Sequence, residues 1–380
     1  MQKQYETQEK PKKAFLVSIL NNDGGGESAC AELRGLAESL GLIIAGYEKI
    51  NVREKQPKFG MGTGKAGELA QKAAACQADC MVFDWNPSPS QQRNWENLSG
   101  IPVVDRQELI IRIFAERANT REAELQVRLA ELSYFLPRLS HKYIDLSRQR
   151  GGRYGTRGAG ETYLEKDRRQ IEQRIRRLEK ELEEVRKQRQ VQRQQRKRQG
   201  LPVCAIVGYT NAGKSSLLNA LTGASVLVED KLFATLDAAT RRFEPAPGTA
   251  ALLTDTVGFI RQLPHSLIKA FRSTLEEAAL ADLLIHILDA SAPDIESCYE
   301  TTLSVLRELG AEEIPTITVL NKTDRLNDAS QAEILLNRFQ ESSFSESGSQ
   351  KILAVSVKNG TGLEVLKKRI AELLKELHPN

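Results

Sequence analysis

The chain has 380 residues, a net charge of +4 and 40% hydrophobic residues, which allows two to three domains with sizeable cores. No apolar run approaches the roughly 20 residues of a membrane span, and the polar Met1–Lys13 segment followed by the short Phe15–Leu20 run does not read as a signal peptide. Five cysteines (Cys30, Cys76, Cys80, Cys204, Cys298) lack metal-ligand spacing, so buried free thiols in a cytoplasmic protein are expected.

Residues 14–105 read as a small α/β domain, with strands at Phe15–Leu20, Leu42–Gly46, Cys80–Asp84 and Ile101–Val104 separated by helical stretches. Within it, Gly62-Thr-Gly-Lys-Ala-Gly67 is similar to a phosphate loop. However, Ala66 lacks the hydroxyl that would hold Mg²⁺, and no glycine stands at position 59. A structural turn with one basic residue is the expectation, and a second nucleotide site the alternative.

Residues 106–199 carry 25 Lys+Arg against 14 Asp+Glu, a net of +11, which leaves −7 for the rest of the chain. Such asymmetry is an electrostatic footprint of nucleic-acid binding. Leu125, Leu129, Leu132, Leu136 and Leu139 step by four and three, as do Ile171, Ile175, Leu178, Leu182 and Val185. Two stripes of this period joined by a breaker-rich segment predict an antiparallel helical hairpin. Its tip, residues 147–160, sets Arg148, Arg150, Arg153 and Arg157 among glycines with no acidic residue. There the backbone can approach a phosphate chain, the arginines can pair with it, and Tyr154 can stack on a base. The run Arg186–Arg198 adds seven basic residues and no acidic one.

Residues 200–380 carry the clearest chemistry. The buried-strand run Val203–Val207 leads into Gly208-Tyr-Thr-Asn-Ala-Gly-Lys-Ser215, which fills G-x-x-x-x-G-K-[ST], and a helix opens directly after it. Backbone N–H groups of Gly208, Tyr209, Thr210, Asn211, Ala212 and Gly213 would wrap the phosphates. Lys214 would sit on the β/γ oxygens, and Ser215, followed by Ser216, would ligate Mg²⁺. Asp255 and Gly258 form D-x-x-G, for Mg²⁺ and the γ-phosphate. Upstream, Phe233-Ala-Thr235 lies where a switch should fall, with Thr235 preferred over Thr240 for the hydroxyl that senses Mg²⁺ and γ-phosphate. Asn321-Lys-Thr-Asp324 ends a β-branched run. Asp324 can accept two hydrogen bonds from guanine and none from adenine, Asn321 would tie its loop to the P-loop, and the Lys322 stem would cover the base. Ser356-Val357-Lys358 is similar to the S-A-K loop behind the guanine. Lys214, Thr235 and Gly258 are the expected catalytic groups, and Ser215, Thr235 and Asp255 the expected Mg²⁺ set. These motifs sit among alternating strands and helices, with Arg241–Pro247 as an antiparallel edge, and so predict a P-loop α/β domain with a mostly parallel sheet. GTP and GDP are the expected ligands.

Phe259 follows D-x-x-G where Ras-like enzymes place the glutamine that orients water. Hydrolysis should therefore need help, from a partner or from a K⁺ ion. Asn211 occupies the position where potassium-activated GTPases carry an asparagine.

The whole chain, from about residue 15 to 375, resembles the HflX family of ribosome-associated GTPases. The likeness rests on Gly62-x-Gly-Lys65, Asp105-Arg-x-x-Leu109 with Ile113-Phe-Ala115, the Leu-Pro-Arg-Leu139 ending, Gly155-Thr-Arg-Gly-x-Gly-Glu-Thr162, Leu164-x-x-Asp-Arg-Arg169, Phe233–Asp237 and Asp255–Phe259. Ala159, Tyr163 and Ala239 depart from the usual proline, glutamine and threonine. The resemblance implies a monomer that binds the large ribosomal subunit and its rRNA, is stimulated there, and separates stalled or hibernating ribosomes into subunits. A ribosome-assembly GTPase and an ATP-driven rRNA remodelling enzyme using the N-terminal domain are the alternatives.

Overall fold

The computed structural model describes residues 12–378, apart from 21–25, 53, 55, 140–156, 199, 225–231, 234, 237–238, 262–266, 268–270, 327 and 342–351. The chain forms two compact units, residues 1–113 with 131–174, and residues 114–130 with 175–380.

The first unit is built on a parallel sheet, β1 (Lys13–Leu20), β2 (Ile43–Asn51), β3 (Cys80–Phe83) and β4 (Val103–Asp105), in the order β2-β1-β3-β4. Helices α1 (Gly26–Ser39), α2 (Thr63–Ala75) and α3 (Pro89–Ser99) connect successive strands. Helix α3 shows how sequence dictates a boundary. Ser88 and Gln91 form a reciprocal capping box, Pro89 takes the first turn where its missing N–H costs nothing, and Gly100 ends the helix in the left-handed region. Phe15, Val17, Leu69, Met81, Phe83 and Trp95 fill the core between sheet and helices.

At the C-terminal end of β4, Asp105 caps α4 (Arg106–Arg117) by accepting from the Glu108 N–H at 2.8 Å. Its other carboxylate oxygen accepts from the Tyr134 hydroxyl and from Arg138, each at 2.9 Å. Arg138 also lies over the Tyr134 ring, 3.7 Å from its centroid. Arg106, itself buried, is paired with both Glu32 and Asp84. Unpaired, each of these buried charges would be strongly destabilising.

The second unit holds the six-stranded sheet of β5 (Val203–Gly208), β6 (Ala239–Ala246), β7 (Thr249–Asp255), β8 (Leu283–Asp289), β9 (Thr316–Asn321) and β10 (Ile352–Ala354). The order is β10-β9-β8-β5-β7-β6, and only the β6–β7 pair is antiparallel. Strands β5, β8 and β9 are buried almost end to end, as strands covered on both faces of a parallel sheet are.

Two helices follow α4, the 15-residue α5 (Arg121–Phe135) and the 42-residue α6 (Arg157–Arg198). The start of α5 lies beside the later part of α6, with Glu122 paired to Arg189 at 2.7 Å and Arg121 to Glu181 at 3.9 Å. The predicted stripe on α6 is its least exposed face, with Leu182 buried and Ile175, Leu178 and Val185 half-buried. On α5 the stripe ends early. Leu136 and Leu139 fall in and after a 3₁₀ turn, because Pro137 has no N–H to donate and disfavours helical backbone before it. The tip residues Arg148, Arg150, Arg153 and Tyr154 lie outside the described residues, and Arg157 opens α6.

Candidate nucleotide-binding site

The site lies at the C-terminal ends of β5, β7 and β9, where a doubly wound sheet binds its ligands. Strand β5 passes into the P-loop at Gly208 (φ 146°), where a Cβ would strike the Ile287 carbonyl oxygen. Asn211 at φ 60° and Gly213 at φ 102° complete the curl, and a Cβ on Gly213 would collide with the Asn321 amide. This left-handed backbone turns the loop's N–H groups inward, and α7 (Lys214–Thr222) begins directly behind it. Ser216 stands in the first turn of α7.

Lys214 is buried and donates to the Tyr209 carbonyl at 2.8 Å. Burial pushes its ammonium down to about 8. Asp255 pulls it back up and Lys322 adds to the lowering. An ammonium in this setting recovers solvation-like partners from a phosphate.

Three oxygen-bearing side chains from three separate segments meet at one point. The Ser215 hydroxyl lies 2.7 Å from the Thr235 hydroxyl and donates to Asp255 at 2.6 Å, while Thr235 donates to the same carboxylate oxygen at 3.1 Å. Asp255 is fully buried, among the described residues no side chain pairs with its second oxygen, and burial raises its pKa. Two hydroxyls and a carboxylate with spare acceptor capacity suit a hard divalent cation such as Mg²⁺. Bound there, the ion would neutralise charge on β- and γ-phosphate oxygens. Thr240, the competitor of Thr235, pairs with Thr254 on the β6–β7 ladder at 3.0 Å.

The D-x-x-G segment lies against the P-loop. The Phe259 N–H donates to the Gly208 carbonyl at 3.1 Å, and the Thr210 N–H to the Phe259 carbonyl at 2.8 Å. A Cβ on Gly258 would stand 2.8 Å from the Lys214 ammonium and from the Thr210 Cα, so glycine alone fits this approach. The Phe259 ring is buried. Two contacts were not foreseen from sequence: the Tyr209 hydroxyl accepts from the Arg261 N–H at 2.9 Å, and Arg261 is ion-paired with Asp294. Neither carries a local sequence signal, since each joins residues 33 or 52 positions apart.

On the base side, Asn321 donates to the Ala212 carbonyl at 2.9 Å and accepts from the Val357 N–H at 3.2 Å, so one amide joins three loops. Lys322, at φ 62°, donates to the Asn211 carbonyl at 2.7 Å and pairs with Asp289 at 2.8 Å, another partner not foreseen. Asp324 accepts from the Ser356 hydroxyl at 2.6 Å, and that bond lowers its pKa. It is held ionised, and exposed Lys358 adds positive potential. Phe233 is placed differently from the other named residues: its ring is buried against the Phe114 ring.

Gly62–Gly67 forms no comparable cradle. Gly62 has an ordinary φ of −62°, and half-buried Lys65 is paired with Glu48 and Glu68. The described residues include no helix long and apolar enough to cross a membrane.

A left-handed loop leading into a helix, a cluster of two hydroxyls and a carboxylate, and the Asn321–Asp324 loop, all on one mostly parallel sheet, are the arrangement of a P-loop GTPase. Residues 203–322 match the family described as "50S ribosome-binding GTPase", 27–115 "GTP-binding GTPase N-terminal", and 117–196 "GTP-binding GTPase Middle Region". The chain is 47% identical to the GTPase HflX of Akkermansia muciniphila, over 97% of this chain and 86% of the relative. It is 41% identical to the GTPase HflX of Escherichia coli K12, over 83% and 74%. Among solved structures, the complex of SsGBP with GDP aligns over 96% of this chain and 99% of that one, at 25% identity and a TM-score of 0.54. The chain belongs to the HflX GTPase family and is a GTP-hydrolysing enzyme.

Proposed function

We propose that this GTPase acts on the large ribosomal subunit, contacts its rRNA through the arginine-rich tip, and separates stalled or hibernating ribosomes into subunits. The carrying observation is the match of residues 203–322 to a family described as ribosome-binding. The +11 charge of residues 106–199 supports an anionic partner for the middle region.

Within the enzyme, the P-loop N–H groups and Lys214 bind and orient the phosphates, Ser215, Thr235 and Asp255 hold Mg²⁺, and Gly258 offers its N–H to the γ-phosphate. Asn321, Lys322, Asp324 and Ser356–Lys358 hold the guanine. The buried Phe259 ring has no group to orient water, so the slow step needs an external contribution. A ribosome supplies it in this reading. A K⁺ ion at Asn211, exposed on the P-loop rim, is the competing source.

GTPase rates with and without purified large subunits, in KCl and in NaCl, test this. The expected result is strong stimulation by subunits in either salt; stimulation by K⁺ alone would transfer the role to Asn211, and no response to subunits would overturn the proposal. Replacing Arg148, Arg150, Arg153 and Arg157 together by alanine should flatten the salt dependence of ribosome binding, because each lost phosphate contact releases fewer counterions. Normal splitting by that variant, followed by light scattering, would remove the tip from the mechanism.

A further inference from the structure

Three phenylalanine rings meet beside the nucleotide site. Phe114, in the last turn of α4, packs edge-to-face on Phe233 at 4.6 Å and 83°, and on Phe271 at 4.5 Å and 68°. Each is 2% exposed. Phe233 lies two residues before Thr235 and Phe271 caps the start of α8 (Arg272–Ala279), so Phe114 bridges the segment carrying Thr235 and the helix that follows the D-x-x-G segment.

Two further observations give the cluster a direction. Phe233 holds φ 57°, a left-handed backbone that a bulky side chain adopts only when its surroundings enforce it. With Leu236 also buried, apolar anchors flank Thr235 on both sides. Helix α8 is fixed in turn by Arg189 of α6, which binds Glu277 at 3.4 Å and Glu122 of α5 at 2.7 Å. Phe271 therefore sits on a braced element, while Phe233 sits in a turn.

We propose that Phe114 is a positioning residue for the GTPase reaction. Its ring seats Phe233, and through Phe233 it holds the Thr235 hydroxyl beside Ser215 and Asp255, where Mg²⁺ and a γ-phosphate would meet it. Loss of the ring frees the backbone at Phe233 to relax toward ordinary φ, and Thr235 swings off the oxygen cluster. Ser215, Asp255 and the guanine contacts do not pass through Phe114, so GDP binding is insulated and the γ-phosphate form bears the loss. This inference rests on the assignment of Thr235 to the Mg²⁺ set.

The test is equilibrium binding of fluorescent GDP and of a fluorescent non-hydrolysable GTP analogue to the full-length protein across Mg²⁺ concentrations. Phe114→Ala should raise the Mg²⁺ needed for half-maximal analogue binding by at least about fivefold, the lower end of ordinary coupling between sites. GDP affinity should stay within about twofold, and Phe114→Leu, which restores part of the volume, should recover part of the shift. Ile370→Ala, a cavity in the sheet core on α9 (Leu363–Leu377), controls for general loosening and should leave the Mg²⁺ dependence unchanged. Wild-type Mg²⁺ dependence in Phe114→Ala, or in Phe114→Leu should the alanine variant not fold, overturns the proposal; so does an equal shift in Ile370→Ala. Thr235→Ala separates the two layers. If it leaves Mg²⁺ dependence unchanged, the Thr235 assignment fails; if it shifts while Phe114→Ala does not, only the positioning role fails.

Discussion

Lys65 and Lys214 each follow a glycine at the start of a helix, yet they occupy opposite environments. Lys214 is buried against a carbonyl with its charge destabilised, whereas Lys65 is 39% exposed and neutralised by Glu48 and Glu68. The difference originates in the backbone before each lysine. Gly208, Asn211 and Gly213 all lie in the positive-φ region and curl the chain, while Gly62 continues in ordinary extended backbone. A glycine–lysine pair is a phosphate site only where neighbouring strands force that curl. Collisions of a Cβ at Gly208 with Ile287 and at Gly213 with Asn321 show the sheet doing so.

Replacing the two lysines is the harshest test of this contrast. Lys214→Ala and, beside it, Ser215→Ala should each remove several kcal/mol of transition-state stabilisation, as loss of a charge or Mg²⁺ contact does. Lys65→Ala should stay within about 0.5 kcal/mol in stability, as surface changes do, with GTP turnover unaltered. Steady-state hydrolysis and thermal melts measure both, and loss of turnover in Lys65→Ala would erase the distinction.

Next in size is the base pocket. Asp324→Asn should weaken GTP by a few kcal/mol and shift preference toward xanthosine nucleotides, because the amide cannot accept from both guanine donors. Competition binding reads this, and an unchanged guanine preference would remove Asp324 from base recognition.

The depressed ammonium offers a pH test. A lysine whose folded pKa of about 8 lies below its ordinary 10.5 destabilises the nucleotide-free fold when charged. That cost, up to about 3 kcal/mol, disappears as pH rises from 8 toward 10.5. Phosphate restores the charge, so nucleotide binding at pH 8.5 should take up protons. Calorimetry in buffers of different ionisation enthalpy should show uptake in the wild type and none in Lys214→Met; no uptake in the wild type would place the lysine in an ordinary environment.

The smallest effect concerns His286, fully buried on β8, stacked on Tyr299 at 5.2 Å and pushed by burial down to about 3. Its folded pKa lies below the unfolded value, so its neutral form contributes stability that is lost as pH falls below about 6.5. Between pH 7.5 and 5.5 the loss should be about 1.4 kcal/mol, and His286→Leu should melt with a flatter pH dependence over that window. An equal slope in both proteins would show that His286 protonates inside the fold.

Most of the architecture of residues 203–378 was readable in the chain because its signals are local. Apolar runs mark buried parallel strands, and P-loop, D-x-x-G and N-K-x-D each sit at a strand end where a short spacing suffices. The same holds for the helix stripes, until Pro137 removed a donor and ended α5 ahead of Leu139. What only the tertiary structure decided was pairing over distance. It chose Thr235 over Thr240 as the neighbour of Ser215 and Asp255, turned Phe233 toward Phe114, and set Arg261 between Tyr209 and Asp294. Sequence carries periodicity and local backbone preference, which act over a few residues. Which hydroxyl meets which carboxylate depends on how separate segments close over one sheet, and that closure is a property of the packed whole.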